Sequence, residues 1–182
     1  MQDGSFIILN AEDEAQVVRY ERAFYDAFIV LRHNRLIHKI WDWDHEKKRL
    51  KTRIPYECQI LFAWISAENR LMAGWGINTS GDHFQAGAFG FSPRAERGTW
   101  CEGIAFFTVE HYRIPGHLFA RSFLRGFCYP ELARRGFRML YTTCAEKPLP
   151  AYLRMGLTLI EQTVIEDQAR YFLELDLGPF AP

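Results

Sequence analysis

Apolar positions change their period several times along the chain, and each change marks an element. Phe6 to Leu9 is a short apolar run that stops at Asn10, with carboxylates following at Glu12, Asp13 and Glu14. An Asn cap ahead of acidic residues, at the positive end of a helix dipole, predicts a helix start. Val17, Tyr20, Phe24, Phe28 and Leu31 then recur at spacings of three and four, which predicts one helix with a buried stripe. From His33 to Tyr56 charge mixes with Trp41 and Trp43, and either a second short helix or a mobile loop fits. Cys58 to Ile65 and Leu71 to Asn78 are apolar runs joined by the polar Ala67-Glu68-Asn69-Arg70, the mark of a hairpin.

Thr79 to Gly98 is rich in Gly and Ser and contains Pro93, predicting an exposed insertion or loop. Trp100 to Val109 returns to strand character, and Arg113 to Gly116 reads as a turn into a helix where Phe119, Phe123 and Phe127 lie one turn apart. Pro130 lacks an N–H and is expected to bend or end that helix near Gly126, with a further turn from Glu131 to Arg135. Met139 to Cys144 is a strand, and Pro148 to Met155 a short helix opened by prolines and stopped by Gly156. Leu157 to Val164 and Tyr171 to Leu177 are strands around the turn Glu166-Asp167-Gln168-Ala169. The order is βα, a hairpin, a long strand, then αβαββ, without repeat or linker, so residues 1–182 read as one α/β domain.

Composition narrows the function classes. Lys plus Arg is 22 and Asp plus Glu is 22, so no global field draws the protein to nucleic acid or to an anionic membrane. Cys58, Cys101, Cys128 and Cys144 are far apart with no CxxC pair, which argues against a zinc site or a disulfide framework and for free thiols. The N-terminus has no signal-peptide pattern and no apolar stretch reaches transmembrane length, so a cytoplasmic protein is expected.

Candidate chemistry concentrates in Arg113-Ile114-Pro115-Gly116-His117-Leu118 and Tyr152-Leu153-Arg154-Met155-Gly156-Leu157. A glycine turn opening a helix offers unpaired N–H groups at the positive end of a dipole, suited to a diphosphate. An ordinary capped turn has the same composition. These residues resemble the coenzyme A loop of the GNAT (Gcn5-related N-acetyltransferase) superfamily, with Arg113 and Gly116 matching its pattern and Leu118 standing where it has Gly or Ala. Tyr152, four positions before Gly156, resembles that superfamily's late Tyr, which gives a proton to the departing thiolate. Read alone, Tyr152 is an aromatic anchor of its helix. The Asn that often precedes the Tyr is absent from Cys144 to Pro148.

The resemblance implies a mixed, mostly antiparallel central sheet flanked by helices. It also implies acetyl-CoA or another acyl-CoA as donor, bound by Arg113, Ile114, Gly116, His117 and Leu118, and a small-molecule primary amine as acceptor, by direct attack. Glu102 and Glu110 lie on or beside the strand that in the family splays from its neighbour to admit the thioester. In its apolar run Glu102 can be pushed toward a base's proton affinity by desolvation; a solvent-facing or paired carboxylate is the plainer reading. His111 and His117 are alternative bases. Cys144 ends a strand near the expected thioester, but a buried structural cysteine is the commoner case.

Arg32, the Trp41-Asp42-Trp43-Asp44 stretch, the strand from Cys58, and the insertion leading to Glu102 also resemble the acyl-homoserine lactone synthases and long-chain N-acyl amino acid synthases. That resemblance implies a fatty acyl donor, often acyl carrier protein. The Arg that follows the Glu in that group is replaced by Gly103-Ile104-Ala105-Phe106. A non-catalytic acyl-CoA-binding domain is the third reading, and a homodimer is compatible with all three.

Overall fold

Asp13 rather than Asn10 caps the first helix: its carboxylate accepts from the backbone N–H of Ala15 at 2.9 Å and of Gln16 at 3.2 Å. Asn10 is used one turn earlier, its side chain accepting from Glu12 N at 3.0 Å and its carbonyl from Asp13 N at 3.1 Å. That turn delays the helix start by three residues. The structure, a computed structural model, describes residues 4–109 and 119–181. Hydrogen bonding orders the strands β1-β4-β5-β6-β7-β9-β8, mostly antiparallel. Contacts divide the chain into two compact units, residues 1–77 with 104–115 and residues 78–103 with 116–182. Among the described residues no helix is long and apolar enough to cross a membrane.

The first unit holds β1 (Gly4–Leu9), α1 (Glu14–Phe28), α2 (Arg35–Ile40), β2 (Trp41–Asp44), β3 (Arg49–Thr52), β4 (Gln59–Ser66), nearly all of β5 (Leu71–Asn78) and the second half of β6 (Trp100–Thr108). β1 pairs antiparallel with β4 from Gly4↔Ser66 to Leu9↔Leu61. β4 and β5 are buried almost throughout, which is why they read as continuous apolar runs rather than alternating ones. Between them Asn69 takes the left-handed conformation at φ 59°, doing what Gly usually does in a tight turn. On α1 the buried residues are Val17, Tyr20, Glu21, Phe24 and Tyr25, and the predicted stripe stops short: Leu31 is exposed, because the chain tightens into a 3-10 turn at Ile29–Leu31.

The stretch from His33 to Tyr56 is neither one helix nor a loop. It forms α2 and then the β2–β3 hairpin, in register Trp41↔Thr52 and Trp43↔Leu50, with Lys48 at φ 51° in the turn. Trp41, Leu50 and Thr52 are buried while Asp42 and Lys51 are exposed, an alternation hidden by the charges around it. The hairpin is tied to α1 by Glu21, which accepts from Arg49 Nε and, at 2.6 Å, from the Tyr56 hydroxyl. Phe24 meets Trp41 at 4.8 Å and stacks on Phe107 at 5.4 Å between centroids. Gly74 makes this approach possible, since a Cβ there would lie 2.5 Å from Phe107 Cζ and 2.9 Å from Tyr20 Cε2. Gly74→Ala is therefore expected to lower stability by about 1–3 kcal/mol through overpacking, read as a lower denaturation midpoint in urea.

The second unit holds the first half of β6, β7 (Met139–Ala145), β8 (Thr158–Ile165) and β9 (Gln168–Asp176), with α3 (Tyr129–Arg134) and α4 (Leu149–Arg154). β6 pairs with β7 in parallel from Trp100↔Met139 to Gly103↔Thr142, and Thr142 Oγ1 donates to the Gly103 carbonyl at 2.8 Å. β7 continues through Thr143, Cys144 and Ala145, paired with β9. The β8–β9 turn is tighter than expected: Glu166 and Asp167 both have positive φ, so Gln168 and Ala169 belong to β9.

Two further expectations are corrected here. The insertion is not simply exposed: a 3-10 helix at Gln85–Phe89 buries Ala86 and Phe89, and Phe91 is buried with its ring stacked 5.0 Å from Phe172. Pro130 does not end the helix near Gly126. A π-helix, Phe119–Cys128, runs directly into α3 with Pro130 at its second position, where the missing N–H removes no intrahelical bond.

Candidate active site

Glu102 lies on β6 at 2% exposure. Its Oε2 accepts from Asn78 Nδ2 at 3.0 Å and from Gln85 N at 2.8 Å, and its Oε1 accepts from Ala86 N at 2.7 Å. Burial pushes the carboxyl up to about 7, while these three donors pull it back down. It therefore exchanges its proton near neutrality. The same bonds make Glu102 the clasp of the insertion, a task its sequence position did not reveal.

Asn78 extends the clasp. Its Nδ2 also donates to the His83 carbonyl at 2.6 Å, and its Oδ1 accepts from Ser80 N at 2.9 Å. One amide thus fixes both the start of the insertion and the carboxylate. The signal lay in the sequence: Asn78 is a polar residue closing an otherwise apolar strand, and a buried amide needs partners. Farther along the loop, the Tyr141 hydroxyl accepts from Arg94 N at 3.1 Å and Ala95 N at 3.0 Å.

Tyr152 sits on α4, which Pro148 opens and Gly156, at φ 99°, terminates. The ring is half-buried, and burial first, then the neighbouring Cys144, pushes its phenol above the ordinary value, so it stays protonated at any working pH. Cys144, near the end of β7, is buried and pushed up to about 12 by desolvation, with Arg170 pulling the other way. A thiol in that state is a neutral neighbour rather than a nucleophile. Tyr152, Cys144 and Arg170 thus form one electrostatically connected group. Arg170 went unnoticed in the sequence because it follows a turn, where Arg is ordinarily solvated. Arg113, Ile114, Gly116, His117 and Leu118, and the alternative bases Glu110 and His111, lie outside the described residues.

No protein-family model matches the sequence, and no curated protein matches it. Solved structures do. BjaI, a CoA-dependent acyl-homoserine lactone synthase solved with SAM and isopentyl-CoA, superposes with a TM-score of 0.74 at 12% identity over 96% of this chain and 84% of that chain. MesI, another CoA-dependent acyl-homoserine lactone synthase, gives 0.70 at 18% identity over 96% and 90%. A GNAT-family acetyltransferase from Desulfovibrio desulfuricans, described as putative in its own naming, gives 0.57 at 11% identity over 97% and 100%. The chain carries the GNAT fold, in a form shared with acyl-homoserine lactone synthases.

Proposed function

We propose that this protein transfers an acyl group from a thioester donor to a primary amine by direct attack. The observation that carries the reading is Tyr152, held protonated beside Cys144 near the end of β7, on a fold that acyltransferases use. The amine nitrogen attacks the thioester carbonyl and its proton passes to Glu102. The carbon–sulfur bond then breaks, the amide forms, and Tyr152 gives its proton to the sulfur. Arg113, Ile114, Gly116, His117 and Leu118 are assigned to the diphosphate of an acyl-CoA. Glu102 supports the base role through a proton affinity that burial sets at about 7. Accordingly kcat/KM rises through that pH, and Glu102→Gln removes the rise.

The higher TM-scores of the lactone synthases, 0.74 and 0.70 against 0.57, favour an acyl group longer than acetyl. Thermal shift with acetyl-CoA and with CoA thioesters of increasing chain length tests this, since a ligand of the folded state raises Tm by mass action. A larger shift with the longer chains is expected, together with amine-dependent release of free thiol. Stabilisation by acyl-CoA without thiol release from any amine would establish a binding domain instead. Release with acyl carrier protein thioesters alone would move the donor to the carrier protein.

A further inference from the structure

A buried charge is costly unless something pairs with it. The buried charged side chains include Glu21, Glu102 and Arg170. Glu21 is met by Arg49 and Tyr56, and Glu102 by Asn78 and two backbone amides. Arg170 is not matched in this way. It is 6% exposed, its Nε is buried with no hydrogen-bond partner, and among the described residues no carboxylate pairs with it.

Its surroundings are built around the guanidinium. Arg170 stands on β9 opposite Ala145 on one side and Thr163 on the other. The face of its guanidinium lies over the Phe89 ring, 5.2 Å from Cζ to the centroid. A guanidinium covered on its face keeps its N–H groups in the plane, the geometry that grips a carboxylate with two parallel bonds. Cys144 is an electrostatic neighbour of both Arg170 and Tyr152, which puts the guanidinium one residue away from the proposed proton donor.

We propose that Arg170 is the recognition point for a carboxylate carried by a substrate. The anion site stands on the unpaired, buried guanidinium; its assignment to a substrate rests on the acyltransfer reading. Two sources share this chemistry: the far end of a dicarboxylic acyl group on the donor, or the carboxylate of an amino acid acceptor. In either case Arg170 is a specificity residue, and an isosteric ligand without the negative charge leaves it unmatched.

Free succinate and neutral succinamide test the site directly. Succinate is expected to raise the Tm of the wild type and succinamide is not; Arg170→Met should respond to neither. Arg170→Met is expected to fold, because replacing an unpaired buried charge by an apolar side chain of similar length is tolerated, and Arg170→Lys is the second variant, keeping charge without the fork. Equal responses of wild type and Arg170→Met to succinate, or none in the wild type, would overturn the proposal. Two arms identify the source: succinyl-CoA against butyryl-CoA as donor, and leucine against isopentylamine as acceptor. The carboxylate-bearing member of one pair is expected to be favoured about tenfold to a hundredfold in kcat/KM by wild type and not by Arg170→Met. Turnover with neither preference refutes the substrate assignment, whereas absence of thioester binding in both proteins refutes the acyltransfer reading and leaves the succinate result to decide the anion site.

Discussion

Glu102→Ala is expected to destabilise the protein by about 2–5 kcal/mol, because the buried N–H groups of Gln85 and Ala86 lose their acceptor and each orphaned donor costs about 1–3 kcal/mol. Asn78 keeps one partner, the His83 carbonyl, and so contributes less. The loss should fall on the insertion, since the clasp holds the first turn of the Gln85–Phe89 helix, and amide exchange there should quicken more than in β7 or β9. The pH dependence separates charge from shape. Glu102 has a folded value of about 7 against about 4.3 unfolded, so between these values the folded state holds a proton that the unfolded chain has released. Its contribution to stability is therefore greatest below about pH 4.5 and declines by about 3 kcal/mol as pH rises to about 7, levelling beyond. Urea denaturation at pH 5 and pH 8 reads this directly. Glu102→Gln, which keeps a carbonyl acceptor and cannot ionise, should flatten that decline. An undiminished decline in Glu102→Gln would mean that the carboxylate titrates as an exposed one does.

How much of this could be read in advance depends on what each residue has to satisfy locally. The apolar runs of β4, β5 and β6 are legible because strands buried on both faces leave no alternative reading for so many consecutive large side chains. The helix start was misplaced by three residues, because Asn10 and Asp13 are both good caps and only the fold shows which one meets free N–H groups. The β2–β3 hairpin is short, and two of its four cross-strand pairs carry charge on both sides, so composition masked a period of two. Thr79 to Gly98 has the composition of a surface loop, yet Phe84, Phe89 and Phe91 pack on partners more than ten residues away or held by tertiary contact, such as Phe172 and Arg170. Composition carries no trace of such partners.

The site divides in the same way. Glu102 and Tyr152 were picked out as single residues in plausible strand and helix positions, and both have the proton affinities that a buried location imposes. What sequence could not supply is the company they keep. Asn78 approaches Glu102 across twenty-four positions, and Arg170 approaches Cys144 only because β9 returns beside β7. A charged residue after a turn is ordinarily solvated, and only burial turns Arg170 into a group in search of an anion.

Tyr152→Phe is expected to reduce kcat by about a hundredfold or more while leaving thioester binding nearly unchanged, since a positioned general acid contributes about 10²–10⁴-fold. The substitution keeps the ring that α4 needs and removes only the hydroxyl, so stability should change by about 1 kcal/mol at most. The measurement is amine-dependent thiol release under saturating donor, with the acyl-CoA thermal shift as the control for binding. The leaving group offers a sharper test. A thiolate of low basicity departs without a proton, so an acyl thioester of an aryl thiol should be transferred by Tyr152→Phe almost as fast as by the wild type, whereas the CoA thioester is not. Equal losses with both thioesters would mean that the missing hydroxyl acts on the acyl group or the acceptor rather than on sulfur. A full rate with the CoA thioester would return Tyr152 to packing, and the proton for the departing thiolate would have to come from elsewhere.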